Sequence, residues 1–106
     1  MRFNSGNIGL MPNLAMKKGQ VVYGHKHNYD HTTFLLSGAV SVRTLVDGIE
    51  TVTEYWPPNR YFLVRANVEH EITALVNDTE FWCIYSHRDA AGHVIQTDEG
   101  WVKSYV

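Results

Sequence analysis

The sequence has little cysteine, little proline and no long apolar run. Its 106 residues include one cysteine and three prolines. A single cysteine, Cys83, excludes an internal disulfide. No window reaches the ~18 consecutive apolar residues of a membrane-spanning helix, and the first residues lack the apolar run of a signal peptide. We therefore expect a cytoplasmic protein with no membrane partner.

An excess of charge of one sign is also missing. Nine basic and eleven acidic residues leave a formal net charge of -2, with no basic block. This balance argues against nucleic acid as a partner and leaves a small molecule as the expected ligand or substrate. An apolar fraction of 44% with 19% charged residues is typical of a globular protein. The length suits one domain, residues 1–106, with one core.

Helical periodicity is absent too, because no stretch of 12 or more residues repeats apolar positions at helical spacing between caps. Short segments rich in Val, Thr, Tyr, Phe and Trp lie instead between turn residues, and they predict strands. Asp47-Gly48 is the strongest hairpin signal. Many short strands at this spacing predict an all-β barrel or jelly roll. The predicted strands are 21–27, 32–37, 40–46, 49–56, 61–64, 70–76 and 80–86.

Three of the six histidines lie within the stretch HKHNYDH, at positions 25, 27 and 31. Residues two apart on a strand share a face, so His25 and His27 are expected to point the same way, together with Tyr23. His31 follows a tight turn, and His70 begins a later strand. Imidazole nitrogens suit Zn, Fe, Cu and Ni, whereas a lone His is more often a surface or satisfied core residue.

The spacing around these histidines resembles the first motif of the cupin superfamily. The chain reads Gly19, QVVYG, His25-Lys26-His27, NYD, His31, TTFLLS, Gly38, and it departs from the motif only at His31, where the family has an acid. The second motif, at 59–74, is weaker: only the spacing and His70 are kept. The departures are Asn59, Arg65, Asn67 and Ala74. The resemblance implies a cupin-like double-stranded β-helix, a jelly-roll barrel, with a metal site in its mouth.

The resemblance also implies the ligands. His25, His27 and His70 match three ligands of the family, and His31 stands in place of the acidic one. We expect one divalent transition metal, Fe, Zn, Ni or Mn. Four neutral ligands leave its +2 charge in place, which favours an anionic or chelating substrate. The alternative is a three-histidine site in which His31 only forms hydrogen bonds, with Asp30 beside it supporting the ligands.

Other residues are candidates by position. Tyr23, Tyr61 and Arg65 are the candidate catalytic residues; Tyr29 could orient a substrate, and Glu69 and Glu71 are candidate general bases. Cys83 is expected to be a buried small apolar residue, and Asn67 can adopt the left-handed conformation that Gly usually supplies. His87 and His93 are expected at the surface. Trp101 and Tyr105 are expected to cover the barrel or mediate a homodimer, because similar small cupins often pair through sheet edges.

Three functions remain open. The first is a metal-dependent enzyme of the dioxygenase, isomerase or lyase type, acting on a small chelating molecule. The second is a non-catalytic module that binds a small ligand or a metal. The third is a structural barrel whose histidines take up metal adventitiously.

Overall fold

Nine β-strands form the regular structure of the computed structural model, which describes residues 3–24, 28–57 and 60–95. None of the described segments forms a helix long and apolar enough to cross a bilayer. The strands are β1 (Phe3–Ser5), β2 (Ile8–Met16), β3 (Val21–Gly24), β4 (His31–Ser37), β5 (Val40–Val46), β6 (Ile49–Tyr55), β7 (Arg60–Val64), β8 (Glu69–Ala74) and β9 (Thr79–Ser86).

The strands form two antiparallel sheets. A five-stranded sheet has the order β1-β2-β9-β4-β7, and a four-stranded sheet has the order β3-β8-β5-β6. From β7 onward, successive strands change sheet, so that β8 lies between β3 and β5 while β9 lies between β2 and β4. This exchange between two sheets is the arrangement of a jelly roll, and it confirms the predicted all-β class.

The core lies between the sheets, where alternate residues of β4, β7, β8 and β9 point inward. β9 shows this most regularly, because buried and partly exposed residues alternate along its whole length. Phe81, Cys83 and Tyr85 are its buried residues near the middle and end of the strand. The other main core residues are Met16, Leu35, Val40, Val42, Phe62, Val64, Ile72 and Ala74.

The predicted hairpin at Asp47-Gly48 is confirmed. Both residues have positive φ angles, 51° and 76°, as a two-residue hairpin turn of this type requires. Val46 lies opposite Ile49, and the pairing of β5 with β6 continues from there to Val40 and Tyr55. The turn therefore sets the register of the whole hairpin.

Two strands near the N-terminus were not predicted. β2 carries Pro12 and Gly9, which disfavour a strand in sequence. β1 pairs with β2 only as far as Leu10, while β9 continues along the other side of β2 past Pro12. Among the described strands, Pro12 therefore has a neighbour on one side only, and this is the setting in which a strand tolerates proline.

Gly38 ends β4 in a backbone conformation that only glycine adopts at low cost. Its φ is +77°, and a Cβ added there would overlap the buried Thr79. Thr79 cannot move easily, because its hydroxyl donates to the Val76 carbonyl at 2.8 Å. Gly48 has nearly the same φ, +76°, with nothing within 4 Å of an added Cβ.

We predict that Gly38→Ala lowers the free energy of unfolding by more than Gly48→Ala does. The matched φ angles give both variants the same backbone cost, about 1 kcal/mol. Only Gly38→Ala adds overlap with Thr79, which we expect to cost a further ~1–3 kcal/mol. Urea unfolding of the two variants measures the difference, and equal losses would contradict the packing argument.

Candidate metal centre

His31 and His70 come from facing sheets and meet at one end of the barrel. His31 begins β4, where its Cα lies opposite Val64 on one side and Tyr85 on the other. His70 is the second residue of β8 and lies opposite Gly24 of β3. Both side chains are buried, with 5% and 4% of their surface exposed. They point inward because they follow the same alternation as the core residues of their strands.

The two imidazoles approach each other through their Nε2 atoms, which are 3.2 Å apart. Their ring centroids are 5.1 Å apart and the planes are inclined by 49°. Two nitrogens about 2.1 Å from one ion, at angles from ~90° to ~109°, would be roughly 3.0–3.4 Å apart. The observed separation therefore suits two ligands of one metal ion, and it also suits a hydrogen bond between the rings.

The tautomer of His70 follows from its second nitrogen. Its Nδ1 is 2.9 Å from the carbonyl oxygen of Val68. A carbonyl only accepts, so Nδ1 carries the proton and Nε2 has a lone pair directed toward His31. Metal-binding histidines are commonly oriented by such a hydrogen bond to a backbone carbonyl.

His31 is held from its other side by a buried threonine. His31 Nδ1 is 3.2 Å from Thr33 Oγ1, which in turn is 3.4 Å from Cys83 Sγ. Burial raises the pKa of the Cys83 thiol, and the hydrogen bond with Thr33 offsets part of that increase. The thiol therefore stays protonated at neutral pH, and the prediction that Cys83 is a buried residue is confirmed.

Two loops near the histidines are joined by Asp30. The backbone N–H of Ala66 donates to Asp30 Oδ1 at 2.7 Å. Next to it, Asn67 has a φ of 63°, which confirms the left-handed conformation expected there. In the alternative of a three-histidine site, Asp30 was expected to support the ligands. The contact observed is one with the loop that leads into β8, so Asp30 acts on the position of that loop.

Two of the four predicted ligands, His25 and His27, lie outside the described residues. Within the described ranges, no group of three or more His, Cys, Asp or Glu side chains could hold a metal ion. The last described residue before His25 is Gly24, which lies opposite His70. The chain therefore leaves the described part of β3 beside one of the two facing histidines.

The two candidate catalytic tyrosines, Tyr23 and Tyr61, point away from the barrel interior. Tyr23 and Tyr61 are each 67% exposed. Tyr23 lies opposite Glu71, and Tyr61 packs against Phe34 with ring centroids 5.9 Å apart. The prediction that Tyr23 faces the cavity is wrong, because alternation places it on the outer face of its sheet. Tyr61, a candidate by its position near the loops, also lies on an outer face. The placement of Tyr23 on the inner face rested on its sharing a face with His25 and His27, which lie outside the described residues.

The two candidate general bases, Glu69 and Glu71, do not face the histidines either. Glu71 faces outward and accepts two hydrogen bonds from Arg43, at 3.1 and 3.3 Å. Its hydrogen bond with Arg43 lowers the pKa of Glu71, which makes it a weaker base. Glu69 is exposed on the same side of β8, so neither acid faces the histidine pair. Arg65 is exposed and directly follows Val64, which pairs with His31; its role stays a prediction.

Sequence reasoning missed an aromatic cluster beside His31. The ring of Tyr85 stacks on Tyr29 with centroids 4.8 Å apart and meets His87 edge-on at 5.3 Å. A Cβ on Gly9 would overlap the Tyr85 ring, so Gly9 provides the space that this ring fills. The inward direction of Tyr85 follows from the predicted burial of Cys83, because residues two apart on a strand share a face.

His87 is another residue whose surroundings differ from expectation. It was expected at the surface, but it is partly buried, and its Nε2 lies 2.7 Å from Asn4 Oδ1. His93 is exposed as expected, with Nδ1 3.6 Å from Asp89 Oδ2. The polar groups of β1 therefore reach the aromatic cluster, which sequence separation alone concealed.

No protein-family model and no curated protein sequence matches this chain. Solved structures of Bacillus subtilis oxalate decarboxylase do match. One mutant structure has a TM-score of 0.68 at 16% identity and covers 85% of this chain and 24% of that one. Another, which concerns the Mn(II) centres of that enzyme, has a TM-score of 0.69 at 17% identity and covers 86% and 24%. The chain thus spans about a quarter of the length of these structures.

We predict that Asp30→Ala lowers the stability of the protein and that Asp30→Asn largely preserves it. Alanine leaves the Ala66 N–H without its acceptor, a loss of about 1 kcal/mol for a partly solvated group. Asparagine keeps an oxygen in the same place. Thermal unfolding of both variants tests this, and equal melting temperatures would show that the link between the loops contributes nothing.

The likeness to the oxalate decarboxylase structures shows the fold and no more, because sequence identities of 16% and 17% leave the function open. The chain has the fold of a single cupin domain: two antiparallel sheets in a jelly roll, with two buried histidines facing each other at one end.

Proposed function

We propose that the chain is a metal-binding cupin in which His25, His27, His31 and His70 hold one divalent transition metal that acts on a small molecule. The observation that carries this proposal is the 3.2 Å separation of the Nε2 atoms of His31 and His70. Both rings are buried, and the proton of His70 lies on the nitrogen that faces Val68. A ring held in this way presents a lone pair to a metal.

Two further observations support the remaining ligands. The segment that contains His25 and His27 starts directly after Gly24, opposite His70. The spacing from Gly19 to Gly38 resembles the first cupin motif, and Gly38 and Asn67 adopt the positive φ angles that such turns need. Oxalate decarboxylase, whose structures have a similar fold, contains Mn(II) centres. This supports a divalent transition metal in the present chain.

Four neutral ligands would suit Fe, Zn, Ni or Mn, and such an ion supplies Lewis-acid or redox chemistry to a bound substrate. The residues of the chain do the rest. His31 and His70 lie away from solvent. An ion bound there would therefore attract an anionic or chelating substrate more strongly than an ion in water would. The stacked rings of Tyr29 and Tyr85 lie beside His31. They would pack against the apolar part of the substrate. A dioxygenase, an isomerase or a lyase would fit this description.

A non-catalytic binding module is the second candidate. It is favoured by the positions of Glu69 and Glu71, since neither of these acids faces the histidines. A catalyst that moves a proton needs an acid or base within hydrogen-bond reach of its substrate. A module that binds a metal or a chelating ligand needs no such acid or base.

The cytoplasmic location also remains a proposal from the sequence.

We also propose a homodimer, formed through the outer face of the five-stranded sheet. The outer face of the four-stranded sheet carries the charged group of Arg43, Glu71 and Glu50. The four-stranded sheet also exposes Tyr23, Val46, Ile49 and Val52. The five-stranded sheet exposes more large apolar side chains, which indicates a surface that is covered by a partner. These exposed side chains are Phe3, Ile8, Leu14, Phe34, Leu36, Tyr61 and Leu63.

The size of this face suits a second copy of the chain. Five strands spaced at ~4.8 Å span about 20 Å. The three long strands β2, β4 and β9 each run roughly 20 Å or more, whereas β1 and β7 are shorter. In projection this face covers roughly 400–500 Å², and the corrugation of its side chains raises the accessible area toward the ~800 Å² per partner of a standard interface. Aromatic residues such as Phe34 and Tyr61 are enriched at interface centres. A two-fold axis would let the same face pair with itself.

Metal content tests the proposed function. We expect untagged protein to retain close to one equivalent of a divalent transition metal per chain after gel filtration, measured by atomic emission. His70→Ala and His27→Ala should each lower this content at least tenfold. His93→Ala, which removes an exposed histidine, is the matched control and should bind like the wild type. Equal metal content in all four proteins would contradict the assignment.

The same preparation separates an enzyme from a binding module. The protein is loaded with Fe, Mn, Ni or Zn and offered a panel of diketones, flavonols, thiols and sugar derivatives. An enzyme should consume oxygen or convert a compound only in a metal-loaded form, and should lose this activity in His70→Ala. A binding module should instead show saturable ligand binding with no turnover in any form.

The homodimer is tested by placing a charge on each outer face. Leu63 and Val52 are similarly exposed, at 52% and 57%, but they belong to the five-stranded and four-stranded sheets respectively. We expect the wild type to sediment as a dimer, Leu63→Glu as a monomer and Val52→Glu as a dimer. A monomeric wild type would rule out the homodimer, and a dimer in Leu63→Glu would rule out this face.

A further inference from the structure

We propose that Thr33 is a positioning residue for His31, and that the hydrogen bonds through Thr33 reverse direction when the histidines bind metal. This inference rests on the proposed function, because it concerns the presentation of His31 to the same ion. Thr33 lies fully buried on the inner face of the five-stranded sheet. Its hydroxyl lies between His31 Nδ1 at 3.2 Å and Cys83 Sγ at 3.4 Å.

The placement of Thr33 follows from strand geometry. Thr33 is two residues after His31 on β4, so both side chains point inward. Its Cα lies opposite Cys83 on β9, which brings the thiol to the same level. A threonine hydroxyl has one proton to donate and lone pairs to accept. It can therefore either donate to His31 and accept from Cys83, or accept from His31 and donate to Cys83.

Without a metal, the contacts define one direction. His70 Nδ1 donates to the Val68 carbonyl, so His70 Nε2 is an acceptor. Between neutral rings, the 3.2 Å contact is a hydrogen bond when His31 Nε2 carries the proton and donates to His70. His31 Nδ1 becomes an acceptor, which takes the proton of Thr33. The Cys83 thiol can in turn donate to Thr33 Oγ1.

With a metal, the direction must be the opposite one. A metal takes the lone pair of Nε2, so the proton of His31 has to lie on Nδ1. That N–H then donates to Thr33 Oγ1, and the hydroxyl proton turns toward Cys83 Sγ, a weak acceptor. No proton enters or leaves: His31 stays neutral, its proton changes nitrogen, and Thr33 rotates its O–H bond. Thr33 thus satisfies His31 in both states.

A valine at position 33 has the shape of threonine without the hydroxyl. Valine leaves His31 Nδ1 without this partner in both states. The loss is larger in the metal-bound state, because an imidazole whose Nε2 binds a cation has a more strongly polarised Nδ1–H, and leaving it buried without an acceptor is costly. Loss of such an outer partner typically weakens metal affinity by ~10–100-fold. A serine keeps the hydroxyl and should restore most of the affinity. Alanine at Cys83 removes only a weak acceptor, so its effect on affinity should be small, within roughly threefold.

The experiment compares wild type, Thr33→Val, Thr33→Ser and Cys83→Ala. Zn(II) affinity is measured by competition with a chromophoric chelator, after melting curves have established that each variant is folded. Histidine ¹⁵N chemical shifts give the tautomer of His31 in the metal-free and Zn(II)-loaded wild type. We expect an Nε2–H tautomer without metal, an Nδ1–H tautomer with it, and an affinity at least tenfold lower in Thr33→Val alone.

The outcomes are distinguishable. A wild type that binds no metal would overturn the proposed function and this inference with it. A wild type that binds Zn(II), together with an unchanged affinity in Thr33→Val, would overturn the role of Thr33 alone. One His31 tautomer in both states would overturn the reversal. If Thr33→Val does not fold, the wild-type tautomers and the affinity of Thr33→Ser still decide: a Thr33→Ser affinity more than tenfold below wild type would contradict the role of the hydroxyl.

Discussion

The approach of two buried imidazole nitrogens across the barrel is the contact on which the proposed chemistry depends. His31 and His70 are 39 residues apart in sequence and lie on different sheets, yet their Nε2 atoms are 3.2 Å apart. Neither ring could be held there by its own strand. β4 is placed by its pairing with β7 and β9, and β8 by its pairing with β3 and β5. The core between the sheets thus sets the distance between the rings.

Buried imidazoles are costly unless their nitrogens are satisfied, and the protein satisfies these from both sides. The Val68 carbonyl orients His70, and the Thr33 hydroxyl adapts to either tautomer of His31. The difference between a fixed acceptor and an adaptable hydroxyl gives the two histidines different roles. In the proposed metal-bound state, His70 would keep its tautomer and His31 would exchange its proton between nitrogens. This asymmetry is a consequence of backbone and side-chain placement, and sequence spacing does not show it.

Pattern reasoning succeeded where one strand or one turn decides the outcome. The hairpin at Asp47-Gly48 and the left-handed Asn67 depend on neighbouring residues only. It failed where a face had to be assigned. Tyr23 was assigned to the inner face because it alternates with His25 and His27, which lie beyond the described part of the chain. Its side chain is on the outer face of the sheet, and its Cα lies opposite Glu71. Alternation states which residues share a face, but only packing states which face is inward.

The sequence by itself determined the all-β class, the position of the hairpin and the two histidines, 31 and 70, that belong at the candidate site. These follow from local periodicity, turn chemistry and the spacing of a motif. The tertiary structure decided which tyrosines face the interior, that Glu71 binds Arg43, and that Cys83, Thr33 and His31 form one hydrogen-bonded chain. These relations join strands that are 28 to 50 residues apart. Their physical cause is the pairing of distant strands, which no local pattern encodes.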